Sequence, residues 1–128
     1  MIDLAIAGVF AALDGLDPDW PVYSGTVAPA VRPPYLRIGE ASLVPNRTMG
    51  NAGADVMVPI HAYAAGRSVV APAAILGEVV AALEVPGAVT VTGRTVNVLH
   101  ESTDDVGPEI EGGGTVQHLE SRFRVWIR

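Results

Sequence analysis

The sequence predicts an α+β fold, in which a single mixed or antiparallel β-sheet carries two α-helices packed on one face. Between residues 54 and 83 the apolar pattern changes from a period of two, typical of a strand, to a period of about 3.6, typical of a helix. Another helical pattern lies at the start of the chain. Further strand patterns lie between the two helices and after the second one. Because a strand that leads into a helix places that helix on a sheet face, we expect both helices to cover one side.

The composition indicates one globular domain over residues 1–128, with 49% apolar and 17% charged residues. The net charge of −6 argues against a surface that binds nucleic acid by neutralising phosphates. No cysteine is present, so disulfides and thiol chemistry are excluded. No apolar run reaches the roughly 18 residues of a membrane span, and the first residues lack the basic region of a secretory signal.

The first helix is predicted to begin at Asp3, as its N-cap, and to stop at Asp14-Gly15, where glycine accepts the left-handed conformation. Residues 17–34 contain five prolines and indicate an extended connection with a short strand at Val22-Tyr23. The next strand is predicted at 35–38. The apolar stripe of the first helix is predicted to consist of Ile2, Ile6, Val9, Phe10 and Leu13.

A polar loop is predicted over 41–53, and the strand from Ala54 to Tyr63 follows it. Ser68 is the predicted N-cap of the second helix, which begins between Ser68 and Ala71 and ends at 84–87. Its apolar stripe is predicted to consist of Pro72, Ile75, Leu76, Val79, Val80 and Leu83.

The last part of the chain predicts three strands, at 88–92, 95–101 and 115–127, with a tight turn at Gly93-Arg94. Between the second and third of these, an acidic, glycine-rich loop is predicted over 104–114. The alternation in the final strand directs Leu119, Phe123, Val125 and Ile127 to the core. It directs Glu120, Arg122, Arg124 and Trp126 to the opposite face.

No catalytic, cofactor-binding or metal site is predicted, and the chain is not expected to be an enzyme. His61, His100 and His118 lie in predicted strands without ligand spacing, so we interpret them as surface or interface residues. The glycines at 112–114 lack the Lys-Ser/Thr of a phosphate loop, and the nearby acids lack the spacing of a calcium loop. No serine lies in a nucleophile elbow.

The order and spacing of five hydrophobic segments resemble those of a known family. They are Val22-Tyr23, Pro34 to Ile38, Val56 to Tyr63, the alanine-rich helix that ends at Leu83, and Phe123 to Ile127. Nearly the whole chain is similar to the tail-completion or tail-terminator proteins of long-tailed phages and of phage-derived gene transfer agents. The loops over 41–53 and 104–114 carry none of the family's motifs.

The resemblance implies structural work without a cofactor, at the tail–neck junction of a virion or phage-like particle assembled in the bacterial cytoplasm. Such proteins form a hexameric ring on the major tail tube protein, stop tube growth and contact the head-side connector or stopper protein. DNA would pass through the lumen without specific binding, which fits the acidic composition. No membrane contact is implied.

The residues themselves indicate where such contacts would lie. Trp126 is predicted to lie beside Arg122 and Arg124 on the face away from the helices, so we expect a subunit interface there. The alternative is that the proline-rich segment 17–34 folds over this face within one chain. Contacts with other tail or neck proteins are expected from the two long loops, at Pro45, Asn46, Arg47, Asn51, Asp104, Asp105, Glu109 and Glu111.

Two alternatives remain open on the sequence. A head-completion or stopper protein of the same neck would be distinguished by the position of its gene. A small ligand-binding or metabolic enzyme domain would show a closed polar pocket with perturbed titrating groups, whereas a ring subunit would show flat contacts.

Overall fold

Two helices and six strands make up the described part of the chain. The computed structural model describes residues 1–25, 27, 31–44, 53–111 and 114–128, except the side chains of Ile110 and Glu111. In chain order the elements are α1 (Ile2–Leu13), β1 (Val22–Ser24), β2 (Tyr35–Ile38), β3 (Ser42–Val44), β4 (Ala54–Ala65), α2 (Val70–Leu83), β5 (Val96–Glu111) and β6 (Gly114–Ile127).

The described strands form one mixed sheet in the order β1-β2-β4-β6-β5, and β3 also pairs with β4. Of the strand pairs that the structure describes, β1 with β2 is the parallel one and the others are antiparallel. Because β6 occupies one edge of β4 from Ala54 to Ala65, β2 and β3 lie end to end along its other edge. Pro59 lies between their two pairings, and its carbonyl accepts the Gly39 N–H at 2.8 Å.

Both helices pack on the same face of this sheet, as the sequence predicts. The apolar face of β4 is fully buried there, with Val56, Val58, Ile60 and Ala62. Three residues of β6 are fully buried beside it: Phe123, Val125 and Ile127. Trp20 joins the same core with 3% exposure, and its Nε1 donates a hydrogen bond to Glu78 Oε2 on α2 at 3.2 Å. The proline-rich connection is thereby fixed to the helical layer.

The N-caps of both helices and the buried side of α1 differ from the prediction. In α1 the buried residues are Ala5, Gly8, Val9 and Leu13, while the larger Ile2, Ile6 and Phe10 lie half-buried at the border of the core. The N-cap of α1 is Met1 and not Asp3. The N-cap of α2 is Val69, and Ser68 Oγ instead accepts a hydrogen bond from the Val70 N–H at 3.2 Å. The predicted stop at Gly15, with φ of +74°, is confirmed.

Three predictions about the strands are wrong. Residues 88–92 form only an isolated bridge, from Val91 to Arg94. The loop predicted over 41–53 contains strand β3, and its residues 45–52 lie outside the described part of the chain. The loop predicted over 104–114 is largely strand, since β5 continues to Glu111 in register with β6.

Candidate functional site

The face of the sheet opposite the helices carries most of the polar and aromatic side chains, and we call it the helix-free face. Four rings form a stripe across it, from Tyr23 on β1 through Tyr35 and Tyr63 to His118 on β6. Tyr23 meets Tyr35 edge-on at 6.0 Å, Tyr35 stacks on Tyr63 at 4.7 Å, and Tyr63 stacks on His118 at 4.2 Å between ring centroids. Cross-strand aromatic contacts of this kind fix the register of the sheet.

The connection before β2 covers this end of the face. Val27 and Val31 pack against the buried cluster of Tyr35, Tyr63 and Val116. The stripe is therefore a second, smaller core on the helix-free face, separate from the core beneath the helices.

Two histidines meet at the β6 end of the stripe, where His61 contacts His118. His61 Nδ1 lies 2.7 Å from His118 Nε2, and His118 Nδ1 lies 3.0 Å from Glu109 Oε1. An ionised Glu109 can only accept a hydrogen bond, so His118 donates to it from Nδ1. Nε2 of the same ring shares the second hydrogen bond with His61 Nδ1. The result is one hydrogen-bond chain from β4 through β6 to β5.

The environment keeps His61 uncharged at neutral pH. Burial, and after it the positive charges of Arg37 and His118, lowers the pKa of His61 from 6.5 to about 4. Glu120, with Oε2 3.8 Å from His61 Nδ1, and Glu109 act in the opposite direction without cancelling the effect. The imidazole of His61 is therefore neutral in this cluster.

A cavity of about 570 Å³ lies next to the histidines, where β1 and β2 end. Among the described lining residues Arg37 is the only basic one, and its hydrogen bond to a described residue is to Tyr63 Oη, at 3.4 Å from NH2. No ion pair of Arg37 is formed with a described carboxylate. The cavity lining consists of Ile6, Ser24, Gly25, Val27, Tyr35, Arg37, Gly39 and Glu40.

The far end of the helix-free face holds the residues predicted as a subunit interface. Trp126 is half-buried there, opposite Asp55 of β4 and Asn97 of β5. Arg122 and Arg124 lie on the same face, as the alternation predicts. The structure thus brings together the three predicted interface residues.

The arginines at this end are held by carboxylates. Arg122 Nε donates to Glu120 Oε1 at 2.7 Å, and Arg128 NH2 lies 2.8 Å from Asp55 Oδ1. Arg124 Nε lies 2.8 Å from Glu101 Oε1, a charge contact in which the N–H is not directed at the oxygen. These three guanidinium groups are therefore neutralised within the subunit.

The acidic residues predicted as partner contacts fall on β5 and not on a loop. Asp104 and Asp105 are exposed, whereas Glu109 is engaged by His118. Glu111 ends β5, and the other predicted contacts, Pro45, Asn46, Arg47 and Asn51, lie outside the described residues.

The interpretation of the histidines as surface residues is wrong for His118, and His61 lies half-buried beside it. His118 is 5% exposed and part of a buried cluster, whereas His100 lies apart from it and contacts Thr103 Oγ1 at 2.8 Å. Over the described ranges, no three His, Cys, Asp or Glu side chains are grouped to hold a metal ion. Neither described helix is long and apolar enough to cross a membrane. The arrangement of the face is that of a packed surface on which the arginines near Trp126 are paired with carboxylates.

Comparison with known proteins agrees with the resemblance seen in the sequence. A model of the family "Tail completion protein gp17" matches residues 4–128. Among solved structures, a chain from the "Virion of native gene transfer agent (GTA) particle" has the same fold, with a TM-score of 0.75. The two chains are 16% identical, and the alignment covers 98% of this chain and 96% of that one. No match was found among curated proteins.

The family model covers the strand–helix unit, the β5–β6 hairpin and every residue of the stripe and the histidine pair. The order of hydrophobic segments that suggested a tail protein is thus confirmed over nearly the whole chain. The chain belongs to the tail completion protein gp17 family and is a structural protein of phage-type tails.

Proposed function

We propose that six copies of this chain form a ring that caps the tail tube, ends tube polymerisation and joins the tail to the head-side connector or stopper protein. The protein acts by assembly and not as an enzyme. Its place is the tail–neck junction of a virion or phage-like particle assembled in the bacterial cytoplasm. Family membership supports the tail, and the helix-free face supports the ring.

The observation that carries the proposal is the position of Trp126. The described part of the proline-rich connection packs at the Tyr63 end of the face, eight residues of β4 away from Asp55, the residue opposite Trp126. Eight strand residues span about 27 Å, so Val27 and Val31 do not cover the indole. A half-buried tryptophan flanked by arginines has the composition of an interface core, and a neighbouring subunit can complete its burial.

The charge distribution supports passage of DNA without binding. The chain has a net charge of −6, and the arginines around Trp126 are each paired with a carboxylate. Binding to nucleic acid depends mainly on free basic groups that neutralise phosphates. A ring of such subunits would repel the DNA backbone and leave the conduit clear.

The test is the morphology of particles made without this protein. We expect tail tubes of irregular, excessive length and heads that lack attached tails, and addition of the purified protein should restore joining. In complete particles, image reconstruction should show a six-fold ring of this chain on the last tube layer. Tails of normal length that attach to heads in its absence would overturn the proposal.

A further inference from the structure

The helix-free face contains a cross-strand row that is positive near one sheet edge and negative at the other. Arg37 of β2 is opposite His61 of β4, His61 is opposite Glu120 of β6, and Glu120 is opposite Asp104 of β5. Directly paired residues share one face, so these side chains stand in one line. Arg37 and Asp104 are three strand intervals apart, about 14 Å, and do not pair within one chain.

The negative end of the row is only partly balanced within the subunit, by Arg122, which lies near Asp104 but is hydrogen-bonded to Glu120. Asp104 is exposed, forms no ion pair with a described cation, and stands directly opposite another carboxylate, Glu120. Its contact with a described side chain is a long hydrogen bond from Ser102 Oγ, at 3.5 Å. Two carboxylates facing each other across strands repel, so an external cation would stabilise this edge.

The positive end of the row is a built cavity. Arg37 lines it together with Tyr35, Ser24 and the acidic Glu40, and Arg37 forms no ion pair with Glu40 or with any other described carboxylate. A guanidinium in a partly enclosed site that also offers hydroxyl groups fits a carboxylate. The two ends of the row therefore complement each other in charge and lie at the same level of the sheet.

We propose that the Arg37 cavity receives the Asp104 carboxylate of a second copy of this chain, so that successive copies join head to tail through opposite edges of their sheets. This inference rests on the proposed function, because a contact between two different surfaces is the kind that generates a closed ring. In this contact β5 lies at the interface between two copies, so its acidic side chains face a protein partner and not DNA.

Charge exchange tests the contact directly, with assembly measured by light scattering and by incorporation into tails. Asp104→Arg and Arg37→Asp should each lower assembly at least tenfold, and the double variant should regain it. Asp105→Arg is the matched control: it changes the same charge on the neighbouring residue, whose position opposite Leu119 places it on the other face. Normal assembly of the Asp104→Arg protein would overturn the inference.

A second test does not depend on removing Arg37 from its packed surroundings. The chain has no cysteine, so Asp104→Cys and Ser24→Cys can be combined in one protein and oxidised. We expect the double-cysteine protein to form a ladder of covalent oligomers. Each single-cysteine variant can form no covalent species larger than a dimer. Rings on particles without a ladder would refute the Arg37–Asp104 contact and leave the proposed function standing. Absence of the protein from tails would overturn both.

Discussion

His61 Nδ1 lies 2.7 Å from His118 Nε2, so two rings from neighbouring strands share a single hydrogen bond inside a packed face. The bond joins β4 to β6, and Glu109 extends it to β5. Arg37 on β2 and Glu120 on β6 also act on His61 electrostatically. Side chains from four strands thereby meet around one neutral imidazole, and protonating it would disturb all of these contacts.

Stability should consequently depend on pH through His61. Its pKa is about 4 in the folded protein and 6.5 in the unfolded chain, so between these values only the unfolded chain takes up the proton. The free energy of unfolding is fully retained above pH 6.5 and falls as the pH drops towards 4. We expect a loss of about 2 kcal/mol between pH 7 and pH 5, measured by urea unfolding.

The control for this pH dependence is a comparison of two histidine variants. His61→Gln should flatten the profile between pH 7 and pH 5, whereas His100→Gln should keep it, because His100 lies outside the cluster. A profile that is unchanged by His61→Gln would show that another group is responsible.

The local parts of the fold could be predicted from the sequence, because their patterns need no partner. β4 and α2 follow from apolar periods within one segment, and Gly15 ends α1 through its own backbone. β5 could not be predicted in full, since Asp104, Gly107 and Pro108 have low strand propensity. Their strand conformation is imposed by pairing with β6, with register shifts that accommodate irregular positions.

The histidine cluster was missed for a related reason. His61 and His118 are 57 residues apart, and their contact depends on a strand register that periodicity does not supply. A usable signal was present in the alternation: His61 and Tyr63 occupy the positions between the buried apolar residues of β4, as His118 does in β6. Polar and aromatic side chains at alternate positions of two strands indicate a second packed face opposite the core.

Alanine at two helical glycines should have opposite effects. In α2, a Cβ at Gly77 meets no atom within 4 Å, so Gly77→Ala should raise the free energy of unfolding by about 0.5–1 kcal/mol. In α1, a Cβ at Gly8 would lie 3.0 Å from Val89 Cγ1 and 3.1 Å from the Thr90 carbonyl oxygen. Gly8→Ala should lower stability by about 1–3 kcal/mol through this crowding. Equal stabilisation by both substitutions in urea unfolding would contradict the packing of α1 against residues 89–90.

Gly39 should be required for the histidine pair. A Cβ at this position would lie 2.8 Å from His61 Nε2 and 3.1 Å from Pro59 Cγ, so the ring of His61 would have to move. We expect Gly39→Ala to break the bond to His118, to cost about 1–3 kcal/mol and to raise the pKa of His61. Imidazole nitrogen resonances in NMR spectra would report the change, and spectra identical to those of the original protein would rule it out.

The two tryptophans should separate stability from assembly. Trp20 is 3% exposed and bonded to Glu78, so Trp20→Ala should lower the free energy of unfolding of the monomer by about 3–5 kcal/mol.

Trp126 is half-buried on the helix-free face, and the described part of the proline-rich connection packs at the other end of that face. If a neighbouring subunit completes its burial, Trp126→Ala should weaken ring formation by roughly 2 kcal/mol per interface while the monomer keeps its melting temperature. Thermal unfolding of the monomer and light scattering of the assembly measure the two effects separately. A Trp126→Ala monomer that is destabilised as strongly as the Trp20→Ala monomer, and that still assembles normally, would mean that the indole is covered within its own chain.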